Sequence, residues 1–209
     1  VLQNQLKIIR YPSIWVLGLA SATMYVTRYA INSWGVLYLQ EARGYSLIEA
    51  GGLVGLNTFT GIIGCIAYGY ISDKYFSARR PPVTLMFGIA EIGSLFLIFY
   101  GPQSTLTLTI AFIIYGFSLS GLLAVLGGLF AIDMAPKNIT GAAMGFIGLF
   151  SYIGAGIQER VSSVLIKTSQ ADINSVKIYN FDDAIIFWVS ASIISFFLAL
   201  SLWNHKIKD

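Results

Sequence analysis

The sequence predicts an all-α membrane protein built from six transmembrane helices. Three observations carry that prediction. Of 209 residues, 56% are hydrophobic and only 11% charged, against roughly 25% charged in a soluble domain; the mean hydropathy is +0.72. Apolar stretches of about 20 residues, the length that crosses roughly 30 Å of hydrocarbon, recur six times. The 21 glycines and five prolines suit membrane-spanning helices, where both residues are commoner than in soluble ones.

In chain order the spans fall at approximately 13–40, 49–72, 82–101, 105–132, 140–166 and 183–203, in a single unit over residues 1–209. Each is bounded by turn or charge chemistry. Glu41-Ala-Arg-Gly-Tyr-Ser46 ends the first, and Ser72-Asp-Lys-Tyr-Phe-Ser-Ala-Arg-Arg-Pro-Pro82 separates the second from the third. Gly101-Pro-Gln-Ser104 is short enough to make spans three and four a tight hairpin, and Asp133-Met-Ala-Pro-Lys-Asn138 and the polar stretch Lys167 to Asp183 close the fourth and fifth. Lys7, Arg10, Lys74, Arg79, Arg80, Lys137, Lys206 and Lys208 share one side, with Arg43, Lys167 and Lys177 opposite. The positive-inside rule then places both termini in the cytoplasm. Tyr11, Trp15 and Trp203 sit where an aromatic interfacial belt belongs.

The net charge of +3 is carried by short loops and not by one polar face, so nucleic acid is not an expected partner; the lipid bilayer is. Cys65, the lone cysteine, reads as a small packing residue, and His205 as part of a solvated tail. The chain starts at Val1 with no leader pattern and reads as a piece of something longer.

Arg28 is the residue to explain, because it stands near the middle of the first span. An intramembrane guanidinium costs about 2.5–3.5 kcal/mol on insertion scales and marks a functional site by default. It cannot shed its proton, and its planar fork of donors matches phosphate or carboxylate. At 3.6 residues per turn Tyr25, Arg28 and Asn32 stack on one face, with Gly35 near the same stripe. The bland alternative is a plain ion pair with Glu91 or a helix C-terminus. Arg160, after Gln158 and Glu159, pairs locally or snorkels outward.

Three further features carry weaker signals. Asp73, Lys74 and Arg80 suit a charge clasp between neighbouring spans, although a plain basic loop fits the same charges. Gly141, Gly145 and Gly148 form a groove leading to Tyr152, and Asn57, Gly61 and Gly64 form a similar stripe; helix packing alone accounts for such stripes. Tyr115-Gly116 with Ser118, Ser120 and Gly121 marks a stretch where a bend would aim Tyr115 inward. Glu91 is a proton-linked carboxylate or, preferably, the counter-ion of Arg28 or Arg160. No nucleophile with a neighbouring base, metal-ligand spacing or nucleotide loop is present, so neither an enzyme nor a cofactor or metal is implied.

Tyr25-x-x-Arg28-x-x-Ile31-Asn32-x-Trp34-Gly35, the loop Gly69-x-x-Ser72-Asp73-Lys74-x-Phe76-x-x-x-Arg80, and Ala135-Pro136-Lys137 leading into Gly141 to Gly154 resemble the organophosphate:phosphate antiporter family of the major facilitator superfamily. The resemblance covers almost the whole chain, as the C-terminal six-helix half of that fold, and its Ile-Asn-x-Trp-Gly wording is similar to the hexose-phosphate transporter and sensor branch. It departs at Tyr115-Gly-Phe, where the family often has Tyr-Gly-Pro, and at Gln158-Glu-Arg160. The resemblance implies a sugar-phosphate site in a bacterial inner membrane, with one arginine from each half binding the phosphate. Arg28 matches the arginine of this half, Tyr25, Tyr115 and Tyr152 match cavity tyrosines, and Asp73, Lys74 and Arg80 match the cytoplasmic loop. The implied partners are an organophosphate, inorganic phosphate and the six-helix N-terminal half. The expected function is sugar-phosphate transport in exchange for phosphate by alternating access; the alternatives are a sugar-phosphate sensor signalling to a kinase and a proton-coupled organic anion carrier.

Overall fold

Local chemistry starts three of the helices. Pro12 and Pro81 stand in first turns, where a missing N–H costs nothing. Ser46 and Glu49 form a reciprocal capping box, the Ser46 hydroxyl accepting from the Glu49 N–H at 3.3 Å and the Glu49 carboxylate accepting from the Ser46 N–H at 3.0 Å. The computed structural model describes residues 6–134, 139–168, 171–173 and 176–203; Ala135, Pro136, Lys137 and His205 lie outside them.

Six helices in the described residues are long and apolar enough to cross a membrane: α1 (Pro12–Glu41), α2 (Leu47–Tyr75), α3 (Arg80–Tyr100), α4 (Thr105–Asp133), α5 (Thr140–Lys167) and α6 (Asp182–Ser201). Their ends fall within three residues of the windows read from hydropathy. Two of them contain a wide π turn, Ala30–Trp34 in α1 and Val125–Leu129 in α4. The polar segment before α6 holds two short strands, β1 (Ala171–Ile173) and β2 (Val176–Ile178), paired antiparallel with Asp172 opposite Lys177. This hairpin is an addition to the all-α expectation.

Contacts run in the order α2, α4, α3, α6, α1, α5, and the last turns of α1 touch α2. Helices α2 and α5 are therefore the ends of the chain of contacts. Only 28% of the apolar window of each is buried, against 44–56% in the other four. The α2–α4 seam is built on glycine. A Cβ on Gly64 would stand 1.9 Å from the Phe117 carbonyl oxygen, and one on Gly116 would stand 2.1 Å from that of Asn57. Backbones this close exclude any side chain at either position.

That use of glycine corrects the bend expected at Tyr115 to Gly121. Helix α4 is regular from Thr105 to Ala124, because Gly116 and Gly121 are consumed by close approach, and the Ser118 hydroxyl donates back to the Ile114 carbonyl. The wide turn lies further on. In α5 the stripe Gly141, Gly145 and Gly148 meets nothing within 4 Å of an added Cβ, and Tyr152 beside it is 67% exposed. The groove is there, and it is open.

Candidate functional site

Arg28 lies half-buried on α1, two residues before the wide turn. Its guanidinium carbon sits 5.3 Å from the ring centre of Tyr25 and 5.7 Å from that of Tyr29. The two rings stack at 6.0 Å, and Tyr25 meets the edge of Tyr152 from α5 at 5.9 Å. Among the described residues Arg28 has no carboxylate within ion-pair distance and no hydrogen-bond acceptor. Ring faces attract a cation by about 0.5–2 kcal/mol each but accept no N–H bond in the plane of the fork. The charge is thus held in place while its donors stay unused.

The other side of Arg28 opens into a cavity of about 380 Å³ lined by Asn32, Asn57, Cys65 and Ser120 among others. Asn57 of α2 donates from Nδ2 to Asn32 Oδ1 at 3.4 Å. Ser33, next to Asn32, turns toward α5 and donates to the Glu159 carboxylate. Arg28 therefore stands between a tyrosine group shared with α5 and an amide group shared with α2. Tyr29 went unnamed in the sequence reading, although its spacing of four from Tyr25 brackets Arg28 and signals the arrangement.

The structure brings Tyr25, Arg28, Asn32 and Tyr152 to one region and leaves Tyr115 out. Tyr115 is fully buried, and its hydroxyl donates to the Thr27 carbonyl at 3.1 Å. With no bend to turn it inward, Tyr115 joins α4 to the back of α1 and does not reach the Arg28 face. Glu91 is equally distant in role. It is fully buried and receives a hydrogen bond from Ser192 of α6. It pairs with neither Arg28 nor Arg160, which corrects the counter-ion expectation; Arg160 is exposed.

At the end of the bundle where α2 stops and α3 starts, Arg80 is the hub. It donates from Nη1 to Asp73 at 3.0 Å and to the Ser72 hydroxyl at 3.1 Å, and from Nε to Asp133 of α4 at 3.1 Å. Ser77 and Ala78, at φ of 50° and 61°, hold the intervening loop tightly enough for the Ala78 N–H to reach Ser72. Lys74 is not in this clasp. Its ammonium donates to the Tyr70 hydroxyl and lies 4.9 Å from that ring's centre, on the outside of α2. Asp133 takes the place expected for Lys74, and its position at the end of span four was the available signal. Arg43, read only as a charge in a loop, donates to the Ile98 and Phe99 carbonyls at 3.0 and 2.7 Å and so satisfies the end of α3.

The family profile described as Major Facilitator Superfamily matches residues 2–158. The "Membrane sensor protein UhpC" of Escherichia coli (strain K12) is 38% identical over 152 residues, 70% of this chain and 33% of that protein. The "Glycerol-3-phosphate transporter" of Bacillus subtilis (strain 168) is 32% identical over 193 residues, 91% of this chain and 41% of that protein. A "Probable hexose phosphate transport protein" of Chlamydia pneumoniae is 30% identical over 149 residues, 68% of this chain and 31% of that protein. The chain spans 31–41% of the length of these relatives.

Proposed function

This chain belongs to the Major Facilitator Superfamily, and on that premise we propose that it is the C-terminal six-helix half of a carrier that exchanges a sugar phosphate of the hexose-phosphate type for inorganic phosphate. The observation that carries the reading is the unpaired Arg28. A guanidinium that keeps its charge inside a membrane protein, braced by two rings and with no carboxylate partner among the described residues, is completed by a mobile oxyanion. Tyr25, Tyr29, Asn32 and Tyr152 flank that position and supply hydroxyl and amide donors. Tyr115 fixes α1 from behind.

In superfamily carriers substrate sits at the midplane between two six-helix units that rock against each other. The open groove of α5 and the exposed length of α2 are the surfaces on which the N-terminal half would close, bringing a second arginine toward Arg28. The Arg80 clasp ties α2, α3 and α4 at one end, which makes these three helices move as a body. Charge distribution supports a cytoplasmic position for that end and for both termini in a bacterial inner membrane. The role is that of a carrier and not of an enzyme.

The test is counterflow: the full-length protein in phosphate-loaded liposomes takes up labelled hexose phosphate, and uptake collapses when internal phosphate is omitted. Uptake indifferent to internal phosphate would overturn the exchange mechanism. The similarity to a membrane sensor favours one second reading, a sugar-phosphate receptor that signals to a membrane kinase. Such a protein binds hexose phosphate through the same arginine yet shows little counterflow, so the two measurements together separate the readings.

A further inference from the structure

Apolar helices usually silence their hydroxyls by folding them onto the carbonyl one turn back. Thr60 of α2 does this with Leu56 at 2.8 Å, and Ser118 of α4 with Ile114. Ser120, two residues along from Ser118 and lining the cavity, makes no such bond and has no other hydrogen-bond partner among the described residues. Asn57 is the second anomaly. It is only 6% exposed, yet the hydrogen bond that it makes with its amide is the long one to Asn32. A primary amide has two donors and a carbonyl acceptor, and a nearly buried one with most of this capacity unused costs stability unless something else completes it.

These groups share a wall. Asn57 and Ser120 sit across the α2–α4 seam, where Gly61 and Gly116 bring the backbones together; a Cβ on Gly61 would stand 2.2 Å from the Ser120 hydroxyl. The opening beside them, about 380 Å³, falls in the roughly 300–1,000 Å³ range of small-molecule sites. Its charge is concentrated in Arg28, and the rest of its polar lining is neutral amide, hydroxyl and thiol. Neutral groups that both donate and accept match alcohols. A bare anion uses only their donors, whereas an alcohol uses donor and acceptor alike.

We propose that Asn57, with Ser120 beside it, is the subsite that reads the uncharged hydroxyl-bearing part of the substrate, while Arg28 holds the phosphate. This rests on the carrier reading above and deepens it: the cavity distinguishes a polyol phosphate from inorganic phosphate through α2 and α4, and the α1–α5 tyrosine group serves both. Asn57 is thus a specificity-determining residue for the sugar, and its loss falls on one substrate of the exchange.

The experiment uses the full-length protein in liposomes and measures KM separately for inorganic phosphate and for glucose 6-phosphate as the probe. Asn57→Ala, which keeps the Cβ and the backbone contact with Gly116, is expected to raise KM for the sugar phosphate about tenfold and to leave that for phosphate within about twofold. Ser120→Ala is expected to move the same ratio by a smaller factor. A variant whose two KM values move together, or do not move, overturns the assignment, because a structural role affects both substrates alike. Should Asn57→Ala fail to accumulate, Asn57→Ser is the replacement, and it must show the same split. Wild-type protein that exchanges no phosphate would sink the carrier reading itself and this subsite with it. A wild type that exchanges phosphate alongside an Asn57 variant with unchanged sugar KM sinks only the subsite.

Discussion

Replacing Arg28 by lysine separates charge from geometry. Both side chains are cations, so long-range attraction for a phosphate is preserved, but lysine offers a point charge where arginine offers a planar pair of donors. One charged hydrogen bond of about 1.5–3 kcal/mol is then lost. The guanidinium also lies 5.3 and 5.7 Å from the Tyr25 and Tyr29 rings, and an ammonium on a flexible stem recovers that contact only in part, a further loss of about 0.5 kcal/mol. The sum, about 2–3.5 kcal/mol, corresponds to a rise in KM for phosphate of roughly 30- to 400-fold. Initial rates of phosphate counterflow in liposomes, over a range of external phosphate, measure it directly. The same structure makes an opposite prediction for stability. Among the described residues Arg28 has no hydrogen-bond or ion-pair partner to lose, only the two ring contacts, so Arg28→Lys should unfold in detergent close to the wild-type temperature, and Arg28→Leu, which removes an uncompensated charge, should be no less stable. If the lysine variant stays within threefold of wild type in KM, or if Arg28→Leu is strongly destabilised, the guanidinium is a structural ion and not a ligand.

Four other outcomes follow from the same geometry. Tyr115→Phe removes the bond to the Thr27 carbonyl and should cost about 1 kcal/mol of stability with little change in KM, whereas Tyr152→Phe should raise KM and leave the melting midpoint in place; thermal scans and counterflow on the pair would expose a reversed pattern. Gly64→Ala drives a Cβ toward the Phe117 carbonyl, 1.9 Å away, and should destabilise by about 1–3 kcal/mol, while Gly148→Ala in this six-helix chain meets open space and should be neutral in the same melt. Arg80→Gln breaks the bonds to Asp73 and Asp133, both partly exposed, and should slow exchange several-fold, while Lys74→Gln should stay within about twofold because surface charges of this kind contribute little; equal effects from the two would dissolve the clasp. Glu91→Gln keeps an acceptor for Ser192, so counterflow without a pH gradient should survive; loss of transport in this variant alone would revive the proton-coupled carrier.

Much of the fold was legible because it depends on one-dimensional quantities. Span length and apolar content fix where helices cross, and all twelve helix ends fell within three residues of expectation. Arg28 was legible for the same reason, since a charge in hydrocarbon needs no neighbour to be noticed. What stayed hidden depends on which helices touch. Nothing in the sequence orders the bundle as α2, α4, α3, α6, α1, α5, and without that order Tyr115 looks as suitable a ligand as Tyr152. The same gap misled the reading of Lys74 and Glu91. Their charges suggested partners, but Lys74 projects away from α3 toward Tyr70, and Glu91 is enclosed between α3 and α6 with Ser192.

The wide turn in α1 shows most clearly why a regular helical wheel falls short. Counting 3.6 residues per turn puts Gly35 on the stripe of Arg28, yet Gly35 is buried against α2, where an added Cβ would stand 3.3 Å from Val54. The π turn at Ala30–Trp34 inserts an extra residue into the winding and so rotates everything beyond it relative to everything before. The N-terminal stretch, Pro12–Tyr29, packs on α5 and α6, and the C-terminal stretch, Gly35–Glu41, packs on α2. One helix thereby serves neighbours on different sides. Arg28 and Asn32 occupy the point of changeover, which is why the guanidinium has the α5 tyrosine on one flank and the α2 asparagine on the other. A straight helix would have committed both residues to a single neighbour, and the proposed phosphate and sugar ends of a substrate would then have had no separate walls to read them.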